Sequence, residues 1–230
     1  LAKMGIRLIM VDFDYHKDIF NTISKIKICS MQPTYWTPDR CSLRLISSTT
    51  EISQDNKYLL SLDLKDGLAV VVDMNTQKNL FTMEHKRHIY TGEFSHNGKM
   101  VVIASADTTA SLWDISTGKK LHTLEHADEV KSASFNHDDS QIITACQNGD
   151  AIIWDTVTGE KLITLQKVYH HWWSFEHTAT WRAKFSPDGS KILTTHSGPC
   201  TVIWDAKTGK KIRQFNHEWS SSRPQFSPDS

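Results

Sequence analysis

Along most of the chain, short apolar or alternating runs are separated by clusters of turn-forming residues. Over residues 131–165 the runs KSASF, SQIITAC, DAIIWD and KLITL follow one another. As a set such runs are rich in Val, Ile, Thr and Trp and are bounded by turn residues, the signature of short strands. The closures between them have their own chemistry. Ser186–Gly189 reads Ser-Pro-Asp-Gly, where proline presets φ and glycine accepts a positive one. Asp114–Gly118, Asp155–Gly159 and Asp205–Gly209 each join an Asp to a Thr-Gly pair, whereas Asp73–Gln77 lacks the glycine, so a departure is expected there.

The strand pattern repeats. Val72-Asp73, Trp113-Asp114, Trp154-Asp155 and Trp204-Asp205 are separated by steps of 41, 41 and 50 residues. Ile52, Phe94, Phe135, Phe185 and Phe226 keep nearly the same steps, each followed by a polar turn: SQDNK, SHNGK, NHDDS, SPDGS and SPDS. Two further apolar ladders stay in phase, Leu80, Leu121, Leu162 and Ile212, then Met83, Leu124, Leu165 and Phe215. Self-similarity at this period marks an all-β β-propeller, whose four-stranded antiparallel blades cannot bury their faces without neighbours. A modular interaction platform follows more readily than a pocket enzyme.

In these residues the chain resembles the WD-repeat family, strongly over about residues 50–230. The resemblance implies a buried hydrogen-bond relay in each blade, linking a His, an Asp, a Ser or Thr and the Trp. Indole N–H and imidazole need partners when buried. The His column reads His85, His126, His177 and His217, and the Asp column Asp66, Asp107, Asn148 and Gly198. The Ser/Thr column, four residues before the Asp column, reads Leu62, Ile103, Thr144 and Thr194. No unit keeps all four members. The relay is therefore expected to be partial everywhere, with Asn148 a weak partner for His126, and Trp113 and Trp154 are expected to be buried.

The implied organisation is one propeller segment over residues 1–230, incomplete, with about four full blades and partial blades at both ends. Its parts are a divergent partial blade and connection (1–50), repeat units at 51–84, 85–125, 126–176 and 177–216, and a truncated blade at 217–230. IRLIMVD and KDIFNTI near the start read as third and fourth strands with Val11-Asp12 in the Trp-Asp position, and RPQFSPDS at the end reads as a first strand. Since members of the resembled family usually have seven blades, the segment is expected to belong to a longer chain. The alternative is a closed five-blade ring in which the terminal strands share one blade.

Composition mainly excludes. With 26 basic and 26 acidic residues, there is no basic footprint for nucleic acid or an anionic membrane. Lys119-Lys120 and Lys210-Lys211 fall at starts of fourth strands, where solvated strand ends explain them. No apolar run approaches the ~20 residues that span a bilayer. Cys29, Cys41, Cys146 and Cys200 show no CxxC spacing, which suits thiols in a reducing, cytoplasmic compartment; a Cys29–Cys41 bridge is the alternative.

The step of 50 residues comes from an insertion, Val168–Thr178, which reads VYHHWWSFEHT. Three readings remain open. Trp172, Trp173 and Phe175 suit a recognition loop. They equally suit aromatic cover for a blade edge. A zinc site would need three or four converging ligands, yet His170 and His171 are adjacent and diverge in an extended chain.

No Gly-rich phosphate loop, GxSxG elbow or HExxH helix is present, so no catalytic residue, cofactor or metal site is expected. The reading is a non-catalytic scaffold or adaptor that binds a protein or peptide segment on its top face. A propeller enzyme with a central-channel site and a purely structural repeat are the competitors. By the family resemblance, the upper opening is ringed by His88, Tyr90, Glu129, Lys131, Ala179 and Trp181, with Lys65, Ala106, Gln147 and Ser197 before the Asp column. Tyr90 and Trp181 are the expected aromatic anchors, and Lys131 with Glu129 is expected to set charge preference.

Overall fold

A computed structural model describes residues 49–63, 65–165, 168, 179–197, 200–216 and 225–227. The described residues form four antiparallel sheets of four strands. The first holds β1 (Thr49–Ile52), β2 (Tyr58–Asp63), β3 (Leu68–Asp73) and β4 (Lys78–Glu84). The second holds β5 (Ile89–Phe94), β6 (Met100–Ser105), β7 (Thr109–Asp114) and β8 (Lys120–Glu125). The third holds β9 (Val130–Phe135), β10 (Gln141–Cys146), β11 (Ala151–Asp155) and β12 (Lys161–Leu165). The fourth holds β13 (Thr180–Phe185), β14 (Lys191–His196), β15 (Cys200–Asp205) and β16 (Lys211–Asn216). Strands pair in chain order within every sheet, the meander of a propeller blade, and the described sheets do not close into a ring.

At each junction the first strand of one blade packs on the first two strands of the blade before it, β5 on β1 and β2, β9 on β5 and β6, and β13 on β9 and β10. Three apolar layers fill the junctions. Leu60, Val71, Met83, Val101 and Ile103 pack between the first two blades. Ala104, Leu112, Leu124, Phe135 and Ile142 pack between the second and third, and Ile143, Ile153, Leu165, Ile192 and Trp204 between the third and fourth. The period-2 alternation of each strand supplies one face to each junction. Of the two ladders on the fourth strands, Met83, Leu124 and Leu165 are buried, whereas Leu80, Leu121, Leu162 and Ile212 lie on the exposed outer surface.

The missing glycine at Gln77 changes nothing in the backbone. Gln77 has φ 57°, matching 65° at Gly118, 71° at Gly159 and 67° at Gly209. Its N–H donates to the Asp73 carbonyl at 2.8 Å, as Gly118 N–H does to Asp114 at 2.9 Å. The turn is thus conserved in shape while its residue is strained. The three glycines also lie against the preceding blade: a Cβ at Gly118 would come within 3.0 Å of Phe81, at Gly159 within 2.6 Å of His122 and at Gly209 within 2.6 Å of Ile163.

The partial blades expected near both termini lie outside the described residues, except for Gln225–Ser227. Cys146 and Cys200 are buried free thiols, and burial pushes both up to about 11. Cys29 and Cys41 lie outside the described residues.

Candidate interaction face

Because strands alternate in direction, the β4–β5, β6–β7, β8–β9 and β10–β11 loops share one face of the arc. In the second blade that face is anchored by a complete relay, which corrects the expectation of a partial one. Trp113 Nε1–H donates to Ser111 Oγ at 2.8 Å, Ser111 Oγ–H donates to His85 Nε2 at 2.6 Å, and His85 Nδ1–H donates to Asp107 Oδ2 at 2.9 Å. The missing hydroxyl at Ile103 is supplied by Ser111, the residue directly across the β6–β7 ladder. In the third blade the same cross-strand pair is Thr144 and Ile152. The hydroxyl has therefore changed strands while keeping its place on the blade face. Trp113 is only partly buried; Phe81 stacks on it at 6.5 Å between centroids and the Lys120 ammonium lies 5.0 Å from its centroid.

The third blade satisfies its histidine differently. His126 Nδ1–H donates to the Leu124 carbonyl at 2.9 Å, its Nε2 accepts from Thr144 at 2.8 Å, and Trp154 Nε1–H donates to the same Thr144 hydroxyl at 2.8 Å. Asn148 takes no part, contrary to its assignment as the weak partner. Its Nδ2 donates to Asp150 Oδ2 at 2.7 Å within its own turn. A carbonyl thus fills the aspartate's place. Burial is the main cause that brings the His126 imidazole down to about 4. Burial lowers His85 too, the opposing pull of Asp107 being weaker, so both rings are held neutral.

In the fourth blade Trp204 Nε1–H donates to Thr194 at 2.8 Å, and Thr194 lies 2.9 Å from His196 Nε2. His196, inside β14, meets the hydroxyl that the His column would reach from position 177. His177 itself lies outside the described residues, as do Trp172 and Trp173. In the first blade, register with β3 places Ser61 opposite Val70, two residues before Val72. Ser61 rather than Leu62 thus matches Ile103 and Thr144, because the β2–β3 turn is one residue longer than its counterparts.

These anchors hold the loops that frame the opening. The loop after His85 is stitched to the β6–β7 turn: Lys86 N–H donates to Asp107 at 3.0 Å, Ala106 N–H to the His88 carbonyl at 2.8 Å, and Arg87 Nη1 to the Ala106 carbonyl at 3.2 Å. Gln147 N–H to the Glu129 carbonyl and Ser197 N–H to the Ala179 carbonyl, both 2.8 Å, repeat the same bond in the next two blades. Lys65 is exposed in the β2–β3 turn, its N–H on Asp63.

Within this frame Tyr90, Lys131 and Trp181, at one register position of three successive first strands, form an aromatic–cation–aromatic row. The Lys131 ammonium lies 4.1 Å from the Tyr90 ring centroid and 5.9 Å from that of Trp181. It donates to Tyr90 Oη and to Glu129 Oε2, each at 2.8 Å, and Tyr90 Oη–H donates to Glu129 Oε2 at 2.6 Å. His88 packs edge-on to Tyr90 at 5.6 Å. Lys131 and Glu129 therefore neutralise each other instead of facing a partner. The hydrogen bond from Lys131 holds the Glu129 carboxyl below its ordinary range. Burial opposes the Lys131 charge, but Glu129 and Tyr90 outweigh it and raise that ammonium. Trp181 stays 52 % exposed.

Deeper along the first strands, side chains cap the open edge of the next blade. Glu51 accepts Phe94 N–H at 3.1 Å, and Glu93 accepts Phe135 N–H at 3.1 Å and the Ser134 hydroxyl at 2.7 Å. Thr91 accepts Ala133 N–H at 3.4 Å and Ser132 accepts Ala183 N–H at 3.2 Å. The corresponding positions of β13 hold Lys184 and Arg182, and Lys184 Nζ reaches back to within 3.9 Å of Glu93. Burial first, then the neighbouring Glu93 charge, raise Glu51 to about 7. Neither Arg87, Ser111, His196 nor this acidic pair stood out in the sequence. For Ser111 a signal existed, a hydroxyl two residues before Trp113 on the same strand face.

The family model described as WD domain, G-beta repeat matches residues 77–114 and 118–155. Each match starts at or beside the turn before a blade's last strand and runs through the third strand of the next blade. The chain thus carries WD repeats, which generally serve as protein-interaction scaffolds and are generally non-enzymatic. No curated protein matches the chain.

Proposed function

We propose that the chain is a non-catalytic adaptor that captures a peptide segment on the face carrying the β4–β5 and β8–β9 loops. The observation that carries this reading is the Tyr90–Lys131–Trp181 row. Three blades contribute one side chain each, the polar ends of Tyr90 and Lys131 are bonded to one another, and a large aromatic surface at Trp181 is left to solvent. Such a rigid aromatic anchor in a fixed polar setting is what a binding hot spot requires. The carboxylates along the first strands support the same reading, because their hydrogen bonds go to the backbone of the next blade.

The test is site-specific photocrosslinking in the full chain, with p-benzoylphenylalanine placed at Trp181 or at Lys207 in the opposite turns. Partner adducts are expected from the first position and not from the second. Equal yields from both, or adducts from Lys207 alone, would remove the proposed face.

A further inference from the structure

The proposed face also carries a charge signature, and this inference, which rests on the reading above, concerns the chemistry of the captured segment. The carboxylates nearest the row are engaged within the chain, Asp128 by the Glu129 N–H among them, while Glu84 and Glu125 lie exposed at the outer ends of β4 and β8. Glu129 is bound by Lys131 and Tyr90, and Asp107 by His85, Thr109 and the Lys86 N–H. Asp66 sits one residue from Lys65 in the same exposed turn. The cations are distributed otherwise. The Lys131 side chain is enclosed, 9 % exposed, whereas that of Arg87 is 57 % exposed, its Nη1 held 3.2 Å from the Ala106 carbonyl and 3.4 Å from the Glu129 oxygen that Lys131 does not use. Lys86 and His88 are exposed beside it.

Arg87, Lys131 and Glu129 together leave one positive charge, reinforced by Lys86. A second cation arriving at Trp181 would meet the Lys131 ammonium 5.9 Å from that ring's centroid and the Arg87 charge beyond it. An incoming carboxylate meets attraction from Arg87, the charge left over once Glu129 is paired with Lys131. Arg87 is linked to Trp181 by an unbroken line of contacts through Glu129 and Lys131. A strand-like segment advances about 3.3 Å per residue, so about three or four residues suffice to bridge the two ends.

We infer that this rim captures an acidic peptide segment bearing one large apolar or aromatic residue, with a carboxylate on Arg87 and Lys86 and the apolar side chain on Trp181. Charge complementarity selects the acidic class, and the exposed indole supplies the apolar anchor.

Fluorescence anisotropy of labelled Glu-Glu-Phe-Glu-Glu, Gln-Gln-Phe-Gln-Gln and Lys-Lys-Phe-Lys-Lys with the full chain tests it. The acidic peptide is expected to bind at least about tenfold more tightly than the basic one, weakening as salt rises. Lys86→Glu with Arg87→Glu should reverse that order. Trp181→Ala should weaken the acidic and neutral peptides by the same factor, and thermal melts keep unfolded variants out of the comparison. If the neutral or basic peptide binds as tightly as the acidic one and Trp181→Ala still abolishes binding, the acidic assignment is overturned while the rim reading stands. Acidic-peptide binding that survives Trp181→Ala overturns both, and absence of binding by all three peptides overturns the assignment. Displacement of the acidic peptide by a short oligothymidylate of equal charge, with higher affinity than the peptide's, also overturns it.

Discussion

Replacing Ser111 by alanine should be among the most damaging single-atom changes in the second blade. The lost hydroxyl accepts from Trp113 and donates to His85, whose side chain is only 2 % exposed. Each hydrogen bond contributes about 1 kcal/mol net, and the orphaned imidazole nitrogen adds a desolvation penalty, so the cost is about 2–3 kcal/mol. For a domain of this size that lowers Tm by about 5–10 °C. The decisive comparison is with the transposed pair, Ile103→Thr with Ser111→Ile, which copies the Thr144–Ile152 arrangement of the third blade. Denaturant unfolding of both singles and the double forms a thermodynamic cycle. The double is expected to recover at least about 1 kcal/mol relative to the sum of the singles. Strict additivity would refute the idea that the hydroxyl's place on the blade face, not its strand, is what the relay needs.

Other outcomes follow from the same geometry. Asn148→Asp, which the sequence columns alone make stabilising, should bring no gain and a loss of up to about 1 kcal/mol in thermal unfolding, because a second carboxylate then faces Asp150. Thr108, with φ 71° where Gly149 has 89° and Gly67 has 70°, carries a β-branched residue in the left-handed region; Thr108→Gly should raise stability by about 1 kcal/mol, read from the urea midpoint. Glu51 is raised in the folded chain to about 7 by burial and then Glu93, so its favourable contribution is complete below pH 4.5 and lost as pH rises towards 7. Glu51→Gln should therefore stabilise relative to the parent at pH 8 by about 2–3 kcal/mol more than at pH 4, seen by chemical denaturation across pH. His126 has the opposite sign: lowered to about 4, it destabilises the fold as pH falls from 6.5, and a His126→Gln variant should lose that acid-side slope.

The architecture was legible because it is written in periodicity. The Phe and Trp-Asp columns place the strands of the second and third blades, and the rim positions counted from Phe94, Phe135 and Phe185 meet through one repeated backbone bond. Partnership across strands was harder to read. Columns counted along the chain assume equal turn lengths and a fixed strand for each role. The longer β2–β3 turn displaces Leu62 by one residue, and Ser111 fills a role from the neighbouring strand. Likewise nothing in the order of residues shows that Lys131 and Glu129, two apart on one edge, turn towards each other and Tyr90. The imidazole of His126 finds a carbonyl, an acceptor that every residue possesses and no motif can name.

The acceptor side chains along the first strands also bear on how such an array can be rearranged. Glu51, Thr91, Glu93 and Ser132 each receive a backbone N–H from the blade that follows, whereas β13 presents Lys184 and Arg182 at those positions. Recombination that exchanged the third and fourth blades would set two cations against the N–H groups of Ala133 and Phe135, which Thr91 and Glu93 accept at the native junction. The blades look alike, but their order is not free. Duplication or shuffling of a unit succeeds only if the side chains at the seam travel with the pair of blades they join, so the heritable module is the junction and not the blade.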